Sequence, residues 1–546
     1  MIREQGSDPG ESRKALPGEA GTARRGHVYL VGAGPGDPGL LTLRAAELLA
    51  TADAILHDEL VHPALLAHAR PDAEVRHVGK RGHDRQSKDA KQAEIEAEIV
   101  ALAAAGRSVV RLKGGDPFLF GRGSEEAEAL VRAGIPFEVV PGVCSPLGAA
   151  AYAGISLTHR DLASSVTLVS GVARAGIPFD WGELASARGT ICVLMGMQAI
   201  EAVVAGMIGS GRRDPKTPAA VIQWGTWAEQ RVVTGDLEDL PRLVREAGLG
   251  SPGIIVVGRV AELRRTLRWF DRQPLFGKRV LITRPRHQAA GTSRLLRLRG
   301  AEPIELPAIE IGPPPDPARV AEAVRALSGY DLVVFTSENG VERFFAEVDR
   351  QGLDARALGG ARVAAIGAGT AAALGPRGIR ADIVPTEFRG EGLAQAILDD
   401  PAIARRLHDR AARGEPAAPL RVLIPRALVA REVLPDRLRE AGCAVDVVPV
   451  YETRPASAER REELVRALEE RRIEIALLTS SSTADSLCDL LGARASELLA
   501  PVLIASIGPI TTATAEKHGL RVGVTAEVST LPGLIDAVER HLDGSS

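Results

Sequence analysis

The stretch Val109–Ser124, VVRLKGGDPFLFGRGS, constrains this chain more than any other. Val109, Val110 and Leu112 are β-formers, and Gly114, Gly115, Asp116 and Pro117 follow at once. Two glycines at a strand end let the backbone turn and let a ligand approach the main chain. Pro117 stiffens the exit. Ser124 is positioned to cap a helix with Glu125, Glu126 and Glu128 in its first turn. Strand, glycine turn and capped helix form the ligand-binding edge of an α/β sheet. The same pattern also serves as a tight βα turn with no ligand.

At 546 residues the chain predicts at least two domains. A net charge of -3 gives no basic excess of the kind that nucleic-acid binding requires. The cysteines, Cys144, Cys192, Cys443 and Cys488, form no CxxC pair, so neither a zinc site nor a disulfide framework is expected, and no metal is assigned. No apolar run reaches membrane-spanning length. Residues 1–25 are polar without an apolar core segment. They read as a disordered tail, and the protein as soluble and cytoplasmic.

His27–Val31 predicts the first strand, followed by GAGPGDPG. A dinucleotide fingerprint needs glycine at its first, third and sixth places, but counting from Gly32 the sixth is Asp37. Pro35 also lacks the N–H that a pyrophosphate would use. A second strand, Ala54–Leu56, delivers Asp58. A carboxylate there either points into the crevice at the sheet's edge or caps a helix. Lys80 and Arg81 follow a third strand, as a solvated turn or a contact for an anion. Ile135–Val140 ends in PGVCSP. Met195 closes the buried strand Thr190–Gly196, where methionine is more often core than ligand.

The segments VGAGPGDPGLLTLRAAELL, LKGGDPFLFGRG, PGVCSP and GISLTHRD resemble the tetrapyrrole methyltransferases, above all uroporphyrinogen-III C-methyltransferase, over Gly26–Trp269. The resemblance implies two lobes, about 26–140 and 146–269, and S-adenosylmethionine as cofactor. By it, Pro35, Gly114, Gly115, Asp116, Leu119, Cys144, Ser145, Met195 and Gly225 meet the cofactor, Asp58 accepts a proton and Lys80 donates one. Cys144 stands where the family has Thr, and Val172 where it has His. The family also implies a homodimer.

Residues 270–277 read as a polar, proline-interrupted linker. Beyond them, strands end repeatedly in Ser, Thr and Gly: Thr336-Ser337, Ile366-Gly367, Thr479-Ser480 and Gly508 with Thr511. Such helix starts favour anions, and they are also ordinary α/β punctuation. VLITRP, FTSENGV, AIGAGTAAAL, VPVYETRP and ASIGPITTATAEKHG resemble uroporphyrinogen-III synthase over 278–543. That family implies an outer lobe, 278–311 plus 455–543, and an inserted lobe, 312–451. Arg405–Pro419 reads as a surface insertion. The resemblance makes Tyr451 a candidate acid, with packing at the lobe crossing the other reading of that side chain. Thr336, Ser337, Thr479, Ser480, Gly508 and Thr511 would grip substrate carboxylates.

The expected fold class is therefore α/β, with two two-lobed halves. The expected activity, in the siroheme and cobalamin branch, is closure of hydroxymethylbilane to uroporphyrinogen III and its double methylation to precorrin-2. A methyltransferase acting on a later corrin precursor, joined to a non-catalytic synthase-like domain, is the alternative. A dehydrogenase would need a second glycine-rich βαβ unit, and the sequence has none.

Overall fold

A computed structural model describes residues 26–79, 88–172, 180–284, 286–413 and 419–544. The chain divides into two compact units, one running through Arg279 plus Leu296–Glu302, the other Val280–Leu295 plus Pro303–Ser546.

The first unit opens with five parallel strands: β1 (Val28–Gly32), β2 (Ala54–His57), β3 (Glu74–His77), β4 (Val109–Lys113) and β5 (Phe137–Val140). Their order is β3-β2-β4-β1-β5. Helices cover both faces, so β1 is buried along its whole length, as a central parallel strand must be. Its alternation sorts the two cores. Tyr29 and Val31 pack with Leu48 and Leu49 of α1 (Leu43–Thr51). Val28 and Leu30 pack with Ile95 and Ile99 of α2 (Lys88–Ala104) and Leu130 of α3 (Gly123–Arg132). Thr42 caps α1, its hydroxyl accepting the Ala45 N–H at 3.2 Å.

Ser124 does not cap α3. The helix begins at Gly123, and the residue before it, Arg122, is left-handed at φ 57 with no side-chain cap. The Gly123 N–H donates to the carbonyl of Pro117 at 3.0 Å, and the helix starts two residues earlier than a cap at Ser124 would start it.

Helix α4 (Ser145–Tyr152) leads into the second sheet: β6 (Val166–Ser170), β7 (Thr190–Leu194), β8 (Pro218–Gln223), β9 (Arg231–Asp236) and β10 (Gly253–Val257), in the order β6-β7-β10-β8-β9. Only β6 and β7 are parallel within it. The segment 270–277 is not polar throughout. Phe270 and Leu275 are buried, and Phe270 packs edge-on against Tyr152 with ring centroids 4.8 Å apart.

The second unit contains two further sheets. One holds β11 (Arg279–Ile282), β12 (Glu302–Glu305), β18 (Ile475–Leu478), β19 (Leu503–Ser506) and β20 (Val522–Thr525), in the order β12-β11-β18-β19-β20. The other holds β13 (Ile309–Gly312), β14 (Leu332–Phe335), β15 (Arg362–Ala365), β16 (Arg421–Ala427) and β17 (Ala444–Pro455), in the order β13-β17-β16-β14-β15. β13 runs antiparallel to the far end of the twelve-residue β17, so the chain enters and leaves this sheet side by side. The polar stretch after 400 is helical over Pro401–Arg413, and Ile403 of that helix is buried. Among the described residues no helix is long and apolar enough to cross a membrane.

Candidate active site

The C-terminal edge of the first sheet gathers three loops. The glycine turn after β1 and the one after β4 exchange backbone hydrogen bonds, Gly34 to Gly115 at 3.1 Å and Gly115 to Gly34 at 2.7 Å. Gly115 is left-handed at φ 68, and a Cβ on it would stand 2.7 Å from Ser145 Oγ. A Cβ on Gly32 would stand 2.7 Å from the Gly115 carbonyl, and one on Gly142 would run into that same oxygen. Glycine at all three positions is what allows the loops to meet. Asp116 ties them together, one oxygen accepting the Gly142 N–H at 3.1 Å and the other the Phe118 N–H at 2.9 Å.

Pro35 abuts α4 at Gly148. The loop that carries Pro35 is pinned from the second sheet. Thr226 Oγ1 accepts the Asp37 N–H at 3.0 Å, and the Trp227 indole donates to the Pro35 carbonyl at 3.3 Å. The Tyr152 hydroxyl donates to Asp37 at 2.5 Å. Gly225 lies against Ala149 of α4 without room for a side chain. Met195 stands at the end of β7, left-handed at φ 55 and half-exposed, so it is not core. Leu119 is partly buried within the loop after β4. Cys144 immediately precedes α4 and is buried, and burial pushes its thiol above the ordinary range. Its neighbour Cys192 is pushed up to about 12 by burial. Thiols held protonated are poor nucleophiles, which leaves Cys144 as a small packing residue.

Asp58 is not a helix cap; the turn beyond it is capped by His62. Its backbone N–H is held by the Leu112 carbonyl at 3.2 Å. Its carboxylate takes a guanidinium N–H from Arg111, a residue that sequence reasoning passed over. Arg111 is 2% exposed and also donates through Nε to Glu126 at 3.1 Å. Lys113 Nζ meets the same Glu126 oxygen at 2.8 Å. Burial first, and the nearby Arg111 charge second, push Lys113 below its ordinary value. Burial works against the Arg111 charge too, but Asp58 and Glu126 outweigh it, and the net direction is upward. The signal lay in VVRLK: two cations on one face of an otherwise apolar central strand need buried partners. Lys80 lies outside the described residues, so the proposed proton donor has no structural account. Val172, where the family has His, is half-exposed after β6.

In the second unit the hydroxyl motifs divide between the two sheets. Ser337 caps the helix Glu338–Arg350, accepting the Gly340 N–H at 3.0 Å. Its oxygen also lies 3.1 Å from the Tyr451 hydroxyl, and Tyr451 is buried in the core of that sheet. Thr336 follows β14 just before it and is partly buried. Ser480 caps Ser481–Leu491, accepting the Thr483 N–H at 3.2 Å, while Thr479 lies 3.5 Å from the Thr483 hydroxyl. Gly508 precedes Pro509–Lys517 in extended backbone, and Thr511 inside that helix is buried. Thr479, Ser480, Gly508 and Thr511 thus follow the neighbouring strands β18 and β19. Thr336 and Ser337 follow β14.

Comparison with known proteins matches the two parts of the chain to two families. Residues 27–241 match the Tetrapyrrole (Corrin/Porphyrin) Methylases, and residues 290–536 match Uroporphyrinogen-III synthase HemD. The first of these families uses S-adenosylmethionine, which is the cofactor of this half. The Porphyrin biosynthesis protein HemD of Ruminiclostridium josui is 37% identical over 94% of this chain and 97% of its own length. The Siroheme synthase of Pseudomonas fluorescens (strain Pf0-1) is 50% identical over 47% of this chain, which spans about half (54%) of that protein. A crystal structure of uroporphyrin-III-C-methyltransferase from Thermus thermophilus is 43% identical, covering 44% of this chain and 99% of its own, with a TM-score of 0.38. The chain belongs to the porphyrin-biosynthesis family in which a tetrapyrrole methylase is followed by a uroporphyrinogen-III synthase.

Proposed function

We propose that the protein is bifunctional: residues 278–543 close hydroxymethylbilane to uroporphyrinogen III, and residues 26–269 methylate that product twice to precorrin-2. The observation that carries the reading is the meeting of the Gly34, Gly115 and Gly142 loops on the sheet edge beside Asp58. Side-chain-poor turns expose backbone to a ligand, and a carboxylate stands on the next strand.

The donor set fits S-adenosylmethionine: glycine backbone at Gly114 and Gly115, small residues at Cys144 and Ser145, and the half-exposed Met195. When bound, the cofactor supplies a methyl group on a sulfonium. The porphyrinogen is electron-rich and is its own nucleophile, so the protein's work is alignment and exclusion of water. Asp116 and Gly142 fix the loop, Pro35 and Gly225 fix α4, and Asp58 takes the proton that the macrocycle releases from a neighbouring C–H once the substituted ring carbon has been methylated. Lys80 is the reading's proton donor.

In the second half, loss of the substrate hydroxyl leaves a reactive cation, and catalysis is largely control of conformation. Hydroxyls and helix starts at Thr336, Ser337, Thr479, Ser480, Gly508 and Thr511 would hold carboxylates. Ser337 and Ser480 accept from their own helices yet keep an O–H to donate. Tyr451 is the candidate acid, supported by its contact with Ser337. The reading also includes a cytoplasmic homodimer paired through the first half, with no nucleic acid or membrane partner.

The test is methyl transfer from labelled S-adenosylmethionine to uroporphyrinogen III by the full chain. Two methyl groups on uroporphyrinogen III support the assignment. Methylation of a later corrin precursor in preference to it would replace it.

A further inference from the structure

We infer that Arg111 is the positioning residue of the Asp58 carboxylate, with Glu126 and Lys113 forming the buried charge base on which it rests. The inference rests on the reading of Asp58 as the proton acceptor. Arg111 lies on the central strand β4, directly opposite Leu56 of β2. Its guanidinium is spent on three elements. Nη2 donates to Asp58 Oδ1, and Nη1 to the carbonyls of Leu56 at 3.4 Å and Leu112 at 3.3 Å. Nε donates to Glu126 Oε1 on α3, where Lys113 also lands. A planar fork held on all sides has no freedom to swing.

Of the four charges, Arg111, Lys113 and Glu126 are buried, and only Asp58 is open, with 31% of its side chain exposed. The cluster therefore runs from beneath α3 to the crevice. Stability does not account for it, because a buried ion group is often matched or bettered by apolar side chains of similar volume. Positioning does account for it. An aspartate at a strand end has several rotamers, and a fixed donor on Oδ1 selects one of them. Oδ2 then takes the proton, while the electron pair of the broken C–H bond returns to the macrocycle. Within this cluster Asp58 gains its proton at an oxygen whose place is set by a residue the substrate never touches.

The experiment is a double-mutant cycle on the full-length protein. Single-turnover methyl transfer to uroporphyrinogen III is measured for Arg111→Met, Asp58→Asn and the pair together. Cofactor affinity is measured by calorimetry. Arg111→Met should slow the chemical step about 10- to 100-fold, the loss expected of a misplaced catalytic group, with cofactor affinity unchanged. In the Asp58→Asn background the same change should cost nothing further. Losses that multiply, or a slow Arg111→Met explained by weaker cofactor binding, would overturn the inference while leaving Asp58 as the base. Full rate in Asp58→Asn would overturn the base reading and this inference with it. If Arg111→Met does not fold by circular dichroism, Arg111→Lys takes its place in the cycle. It keeps the charge and loses the fork, and the same two outcomes decide.

Discussion

Asp116 accepts the backbone N–H of Gly142 at 3.1 Å, so one carboxylate ties the loop after β4 to the turn after β5. Its second oxygen holds the Phe118 N–H. Asp116 is thereby a brace for the loop proposed to hold the cofactor. Charge-assisted bonds to backbone are worth about 1.5–3 kcal/mol each. Asp116→Ala should weaken S-adenosylmethionine binding about tenfold or more and leave ring closure untouched. Calorimetry and the synthase assay on one preparation check both halves of that statement.

Gly115 carries a stricter demand. At φ 68, with Ser145 Oγ only 2.7 Å from where a Cβ would stand, it excludes branched side chains twice over. Gly115→Val should abolish cofactor binding and cost about 1–3 kcal/mol of stability through backbone strain. Retained affinity in a folded variant would mean that the cofactor lies elsewhere.

Asp58→Asn keeps shape and removes the proposed base. Methyl transfer should fall by about 10²–10⁴, the usual cost of losing a general base, while cofactor affinity holds. Single-turnover rates with calorimetry measure this directly.

Much of the site was legible in the sequence because glycine and proline carry their geometry with them. GAGPGDPG, GGDP and PGV each announce a turn at a strand end, and the structure brings those three turns together. Asp58 was legible as a carboxylate at a strand end, though its partner was not. Arg111 and Lys113 read as strand residues, and nothing local says that Glu126, more than ten residues on, will be folded beneath them. Ser124 misled because an acidic first turn follows it, whereas the backbone of Gly123 starts the helix. The polar look of 270–277 hid Phe270 and Leu275, whose burial depends on residues distant in the chain.

Asp53 offers a control on stability at the opposite edge of the same sheet. Its carboxylate accepts the backbone N–H and the hydroxyl of Ser108, each at 2.8 Å, and an Arg70 N–H. The Ser108 backbone bond first, then the Ser108 hydroxyl and Arg70, hold it below the ordinary aspartate range. A depressed carboxylate contributes stability above its unfolded value and loses it as pH falls through the folded one. Asp53→Asn should therefore destabilise the protein by about 1–3 kcal/mol at neutral pH. The gap from wild type should close as the pH drops below the aspartate range. Thermal melts across pH give the comparison, and cofactor affinity should not change.

Tyr451→Phe separates two readings of a buried hydroxyl. If the hydroxyl is the acid, ring closure slows about 10²–10⁴-fold with folding intact. Loss of the Ser337 contact alone would cost about 1 kcal/mol of stability and leave the rate in place.

The central claim is that one chain carries out two consecutive steps. The most direct measurement gives the purified full-length protein hydroxymethylbilane, first alone and then with S-adenosylmethionine, and resolves the products by isomer and mass. The account predicts uroporphyrinogen III without the cofactor and its dimethylated product, precorrin-2, with it. Formation of only the type I isomer that arises without an enzyme, or a type III product that S-adenosylmethionine leaves unmethylated, would contradict it.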